Sequence, residues 1–152
     1  MKPLIVLLAT FLLALVITKL VTGEFELTFP ARTALSVMLV FTAIAHFAFT
    51  QGMTRMLPEF VPFRTEIVYL TGILELVAAG ALFVPALRVV TGWLLIAFFL
   101  LLLPANIYAA AKHIDYQTGA TDGNGLSYLW FRVPLQALFI AWTYFSCLRI
   151  PA

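Results

Sequence analysis

Long uninterrupted apolar runs are the feature of this sequence that most constrains its fold. The first run, "PLIVLLATFLLALVITKLV" at residues 3–21, contains one charged residue, and a helix of that length crosses a hydrocarbon core of about 30 Å. Hydrophobic residues make up 63% of the chain and charged residues only 11%, which leaves too little polar surface for a soluble domain. The sequence therefore predicts an integral membrane protein.

Five such runs are separated by spacers that are polar or contain Pro and Gly. We predict an all-α, polytopic membrane helix bundle that forms a single transmembrane domain over residues 1–152. Lys2 ahead of the first run would also suit a cleaved signal peptide, but no small-x-small cleavage site follows closely, so we expect a retained helix. The predicted spans are residues 3–21, 31–50, 63–84, 88–111 and 128–148.

The basic residues lie singly near the ends of the spans, and the net charge of +2 does not favour nucleic acid as a partner. With five spans, the two termini lie on opposite faces of the membrane; side A is the face at the start of the first span and side B the other. Each face receives four basic residues, so the positive-inside rule gives no orientation. The side A set is Lys2, Arg55, Arg64 and Lys112, and the side B set is Lys19, Arg32, Arg88 and Arg149.

Polar side chains inside the spans gather in the half of the membrane nearer side A. With a rise of 1.5 Å per residue, Glu75 lies about 16–18 Å from the side A end of its span, near the midplane, and the others lie closer to side A. Such groups are costly in lipid and usually face a protein interior or a watery cavity. We therefore predict one polar cavity that opens toward side A and is lined by His46, Glu75, Asn106, Arg132 and Gln136.

Glu75 shares a helix face with small residues, including Gly72 and Ala79, which let helices approach closely. A lone carboxylate at this depth must be protonated or paired. Arg132 is the expected partner, because guanidinium stays charged and binds carboxylates through two hydrogen bonds. Either the reach of the two side chains covers their difference in depth, or Gln136, one turn from Arg132, or a water bridges them.

A helix breaker interrupts the fourth span in "LLLLPANIYAA". Pro104 cannot donate a hydrogen bond to the carbonyl of Leu100, and the freed backbone group needs a partner inside the protein. Asn106 either repairs this kink locally or lines a ligand cavity that the kink shapes. Pro134 in the fifth span presents the same two alternatives.

Other candidate groups have simpler interpretations. His46 is more typical of an interhelical hydrogen bond than of a metal or haem ligand, since the second histidine, His113, falls in a loop; no metal site is predicted. Tyr69 and Tyr108 fit an aromatic belt at the membrane interface and are also kept as candidate ligand contacts. Cys147, the single cysteine, cannot form an internal disulfide.

Two connections on side A are longer than turns. "QGMTRMLPEFVPFR" at residues 51–64 mixes large apolar residues, charges and prolines, which predicts a segment lying in the headgroup region or a lid over the cavity. "KHIDYQTGATDGNG" at residues 112–125 is predicted to be a solvated loop.

The stretches "FTAIAHF", "MLPEFVPF", "VYLTGILELVAAGALFVP", "LLLLPANIYAA" and "FRVPLQALFIAW" resemble the DoxX-like family of small bacterial integral membrane proteins over residues 32–147. The resemblance implies a four-helix core, to which the first span is an extra transmembrane helix, and a place in the bacterial inner membrane. The positions that match the family pattern are His46, Gly72, Glu75, Pro104, Asn106, Tyr108, Arg132, Pro134 and Gln136.

Some DoxX-like relatives are subunits of quinone-linked oxidoreductases, and others accompany redox complexes or cofactor maturation. The first functional hypothesis is therefore a redox-linked subunit that binds a quinone or another amphipathic ligand in the side A cavity and contacts lipid and a membrane or soluble redox subunit. The alternative is a non-catalytic assembly or accessory protein whose polar network fixes helix packing. Whether the chain is an enzyme stays open, and no inverted repeat supports a transporter.

Overall fold

The computed structural model describes residues 2–149, and within that range all regular structure is helical. Pro85 begins its helix at a position where the missing N–H costs nothing, and the proline rings at 104 and 134 are accommodated inside continuous helices. A 3₁₀ turn at Leu126–Tyr128 precedes the last helix, and a π-helical turn at Tyr144–Leu148 follows it. The helices are α1 Lys2–Thr22, α2 Thr28–Ala48, α3 Thr50–Arg55, α4 Arg64–Ala81, α5 Pro85–Ala111 and α6 Leu129–Thr143.

α2 is the central helix of the bundle. It packs against α1 on one flank and α4 on the other, and it also contacts α6 and the π-helical turn, while α5 packs on α6. A single apolar core runs between these helices and includes Leu7 of α1, Leu35 and Leu39 of α2, Phe99 of α5 and Phe139 of α6. Helix α1 therefore belongs to the same core as the rest of the bundle.

Within residues 2–149, three helices are long and apolar enough to cross a membrane: α1, α2 and α5. Much of the apolar surface of α1 is exposed, with Leu20 and Val21 each 79% accessible, which suits contact with lipid. These features agree with a membrane protein.

The other two predicted spans are also helical, but they fall outside this group. Helix α4 has 18 residues and carries Arg64, Glu66 and Glu75, and α6 has 15 residues before the π-helical turn. Membrane crossing by α4 and α6 stays a prediction.

Candidate functional site

The helices enclose a cavity of about 470 Å³ in the half of the bundle nearer side A. Its volume lies in the range of roughly 300–1,000 Å³ that is typical of small-molecule sites. Four helices contribute the polar residues that the sequence singled out: His46 from α2, Glu75 from α4, Asn106 from α5, and Arg132 and Gln136 from α6. The structure thus brings together five of the seven candidate residues, and their role in binding stays a prediction.

Most of the remaining wall is apolar. Met38, Phe99 and Phe139, which belong to the core, separate the cavity from the side B half of the bundle. Large flexible or aromatic side chains together with a few hydrogen-bonding groups make a surface suited to an amphipathic molecule rather than to a small hydrophilic solute.

Glu75 is the most deeply buried ionisable group of the cavity, with 3% of the residue exposed. Its Oε2 lies 3.2 Å from Nδ1 of His46, but this carboxylate oxygen has no partner with hydrogen-bond geometry. The same Nδ1 lies 2.9 Å from the backbone oxygen of Thr42, so a proton on this nitrogen is donated to Thr42 and the contact with Glu75 is electrostatic. The pair is ionic when His46 is protonated, and the carboxylate retains hydrogen-bonding capacity toward the cavity.

The predicted partnership of Arg132 with Glu75 is wrong. Among residues 2–149, the one pair of acidic and basic side chains whose N and O atoms lie within 4 Å is His46 and Glu75. The physical reason is helix packing: α4 lies directly against α2, whereas Arg132 approaches the cavity from α6. Arg132 is half-buried and is left available to a ligand.

A glycine permits the approach that creates the His46–Glu75 pair. Gly72 is buried one turn before Glu75, and a Cβ added there would lie 3.0 Å from Cβ of His46 and 3.2 Å from Cε2 of Phe47. The small face that the sequence predicted around Glu75 is therefore the contact surface between α4 and α2.

A hydrogen bond from the neighbouring helix lies beside the kink at Pro104. Gln136 of α6 donates from Nε2 to the backbone oxygen of Phe99, one residue before the Leu100 carbonyl that Pro104 cannot pair. Asn106 donates from Nδ2 to Oε1 of Gln136 over 3.4 Å. Of the two alternatives for Asn106, the structure shows its place in the cavity wall, and its amide bonds Gln136 rather than the freed carbonyl.

Arg132 connects the cavity to the side A surface. It also lines a smaller pocket of about 80 Å³ beneath the loop at residues 112–125, together with Asp115 and Asn124. Asn106 and Tyr128 line both spaces as well. Arg132 therefore lies between the larger cavity and the smaller pocket.

The two side A connections cover the cavity. Met53, Met56 and Leu57 line it from the segment that begins with α3, while Phe60 of the same segment is 86% exposed, as suits an interfacial anchor. The lid and the interfacial segment, predicted as alternatives, are thus compatible in one stretch of chain.

The loop at residues 112–125 was predicted to be solvated. Two of its residues, Tyr116 and Gln117, instead line the cavity. Arg55 joins the two covering segments by donating from Nη1 to the backbone oxygen of Gly119 over 2.8 Å. Tyrosine in an otherwise polar loop was the one signal of this contact in the sequence.

Tyr69 and Tyr108 do not line this cavity. Tyr69 is 42% exposed and stacks on Phe47 with 5.8 Å between ring centroids, which agrees with the interface-belt interpretation. The prediction that either tyrosine shares the site with Glu75 has no support in the geometry. Within the described residues, no cluster of three or more His, Cys, Asp or Glu side chains could hold a metal ion.

Sequence reasoning also missed a feature at the opposite end of the bundle. Arg32, predicted to be an interfacial anchor on side B, is only 7% exposed. A basic residue at a span end resembles an anchor in any hydropathy pattern, and its burial depends on the packing of α2 against its neighbours.

A family model described as a domain of unknown function (DUF8561) matches residues 35–147 of the chain. No curated protein and no solved structure matches the chain.

Proposed function

The chain belongs to the DUF8561 family, whose description assigns no activity, and we propose that it acts as a redox-linked membrane subunit that binds a quinone or a similar amphipathic molecule in the side A cavity. The resemblance of the motifs around His46, Glu75 and Asn106 to the DoxX-like family supports this proposal, as does the amphipathic lining of the cavity. An inner-membrane location and a four-helix core supplemented by α1 are part of the same proposal.

The observation that carries the proposal is the carboxylate of Glu75. It is 3% exposed, adjoins an apolar chamber of about 470 Å³, and has an oxygen without a hydrogen-bond partner. A buried carboxylate in that state costs free energy, and a ligand hydroxyl would remove the cost by donating to it. A quinol carries such hydroxyls on an apolar ring.

The polar groups have complementary roles toward the two redox forms. Arg132 and the amides of Asn106 and Gln136 can donate hydrogen bonds to a quinone carbonyl, and Glu75 can accept one from a quinol hydroxyl. Oxidation of one quinol to a quinone releases two protons and two electrons. Glu75 and His46 would receive protons, and an electron acceptor in a partner redox subunit would take the electrons.

Substitution of Glu75 tests the proposal. Glu75→Gln preserves the size of the side chain but replaces the charged acceptor with a neutral amide, so we expect loss of copurifying quinol and about tenfold or more weaker binding of a short-chain quinol, the effect of losing one charge-assisted hydrogen bond. The measurements are native mass spectrometry after mild extraction and thermal stabilisation by the added quinol. Glu66→Gln is the matched control, because Glu66 lies on the same helix and is exposed.

A pure wild-type preparation that contains no bound ligand and is not stabilised by quinone or quinol would contradict the proposal. Equal quinol affinity in Glu75→Gln and wild type would contradict the role of this carboxylate.

A second candidate is the non-catalytic assembly or accessory protein, and the Asn106–Gln136–Phe99 hydrogen bonds favour it, since they join α5 to α6 without any ligand. The two candidates differ in what Glu75→Gln does to the empty protein. A structural network predicts a lower free energy of unfolding, with partner binding dependent on surface residues. A ligand site predicts unchanged or higher stability, because a buried carboxylate oxygen without a hydrogen-bond partner is replaced by a neutral amide.

A further inference from the structure

Two helix N-termini on side B each carry an arginine. Arg32 lies near the start of α2 and Arg88 near the start of α5. The first turn of each helix contains no acidic residue, and neither helix has a side-chain N-cap. Both ends therefore carry a partial positive charge. At α5, Pro85 has no N–H, and the N–H groups of Leu87 and Arg88 donate to the backbone oxygen of Val84.

Arg32 is buried although part of its guanidinium group has no hydrogen-bond partner. The residue is 7% exposed, and its Nε and Nη1 are buried without a hydrogen-bond partner, as is Nε of Arg88. Guanidinium stays charged, so deprotonation does not relieve the cost of these buried donors. An anion that accepts from both side chains would relieve it.

The starts of the two helices pack around one segment of the chain. α2 and α5 each contact the π-helical turn Tyr144–Leu148, which contains Cys147. Gly92, one turn after Arg88, packs against Cys147, where an added Cβ would lie 3.0 Å from that of the cysteine. On the other side of Arg32, Trp142 donates from Nε1 to the backbone oxygen of Ala31 over 3.0 Å, which fixes α6 against the start of α2.

Among residues 2–149, no carboxylate lies within 4 Å of either guanidinium. Glu26, which is near Arg32 in the sequence, is exposed, and its Oε1 accepts from Thr28 Oγ1 over 2.9 Å. Within the described part of the chain, Arg32 and Arg88 are thus two cationic groups without a paired carboxylate.

We propose that Arg32 and Arg88 together bind one phosphate group, which the planar guanidinium forks and the two helix N-termini are suited to hold. Four residues beyond the start of α2, Arg32 lies about 6 Å inside the helix, close to the level of lipid headgroups. An anionic phospholipid and free phosphate share the required chemistry. The site is at the opposite end of the bundle from the side A cavity and does not depend on the proposed quinone function.

The test uses the full chain purified in detergent with four probes: phosphatidylglycerol, diacylglycerol with the same tails, inorganic phosphate, and buffer alone. Native mass spectrometry and the unfolding temperature report binding. We expect phosphatidylglycerol to raise the unfolding temperature of the wild type and diacylglycerol to have no such effect. In Arg32→Gln and Arg88→Gln the affinity should fall about tenfold or more, as expected for the loss of a charge-assisted contact.

Two further variants make the result specific. Arg64→Gln removes an arginine from the side A end of α4 and should bind as the wild type does. Arg32→Lys keeps the charge but not the planar fork and should bind with intermediate affinity. If Arg32→Gln does not fold, Arg88→Gln still decides the matter, because Arg88 is only half-buried.

Stabilisation by inorganic phosphate alone, lost in the same variants, would support the site with free phosphate as its source. The proposal is overturned if neither phosphate probe binds the wild type, or if Arg32→Gln and Arg88→Gln bind both probes as tightly as the wild type.

Discussion

Two glutamates on α4 illustrate how position decides the state of a side chain. Glu66, in the first turn, is exposed, where a negative charge also suits the helix dipole. Glu75 is buried beside His46 in the cavity. The helical phase shared by Gly72, Glu75 and Ala79 predicted an inward direction for Glu75, and all three residues are buried.

Gly72 is expected to be the most size-sensitive position on α4. Gly72→Val should lower the free energy of unfolding by about 1–3 kcal/mol, because the new side chain would overlap His46 and Phe47. Gly80→Val is the matched control on the same helix, since nothing lies within 4 Å of a Cβ there, and it should change stability by less than about 0.5 kcal/mol. Denaturant unfolding in detergent measures both, and equal costs would refute a tight α2–α4 contact.

At the scale of the helix, α5 is continuous from Pro85 to Ala111 despite Pro104. A proline inside a membrane helix is tolerated when neighbouring helices satisfy the freed backbone groups. Here Gln136 of α6 donates to the Phe99 carbonyl, one residue before the Leu100 carbonyl that Pro104 frees. The kink in one helix is therefore coupled to a side chain of another.

This coupling predicts a non-additive pair of substitutions. Gln136→Leu should destabilise the protein by about 1–3 kcal/mol, the cost of leaving buried polar groups unpaired. In a Pro104→Ala background the cost should be smaller by more than about 0.5 kcal/mol, because a straighter helix would turn the Phe99 carbonyl away from Gln136 and weaken the bond that Gln136→Leu removes. Gln51→Leu, at an exposed position of α3, controls for the loss of a glutamine.

A double-mutant cycle of unfolding free energies measures the coupling. Additive costs for Gln136→Leu and Pro104→Ala would mean that Gln136 stabilises the α5–α6 contact independently of the kink.

At the scale of the whole molecule, the polar residues of α2, α4, α5 and α6 converge on one cavity, and α1 adds Lys2 at its margin. If all five long helices cross the membrane, the termini lie on opposite faces. Tags placed at the two ends of the full chain in sealed vesicles should then be labelled by a membrane-impermeant reagent from opposite sides. Labelling of both tags from the same side would show an even number of crossings and would remove α4 or α6 from the set of spans.

The sequence by itself determined the class of protein, the positions of the helices and the half of the bundle in which polar groups gather. These properties are local, since hydropathy and the 3.6-residue period are read along one helix at a time. Only the tertiary structure decided that Glu75 pairs with His46 rather than with Arg132, that Arg32 is buried, and that the loop at residues 112–125 covers the cavity. Each of these outcomes depends on which helices are neighbours and how closely they pack, and the spacing of residues along the chain does not contain that information.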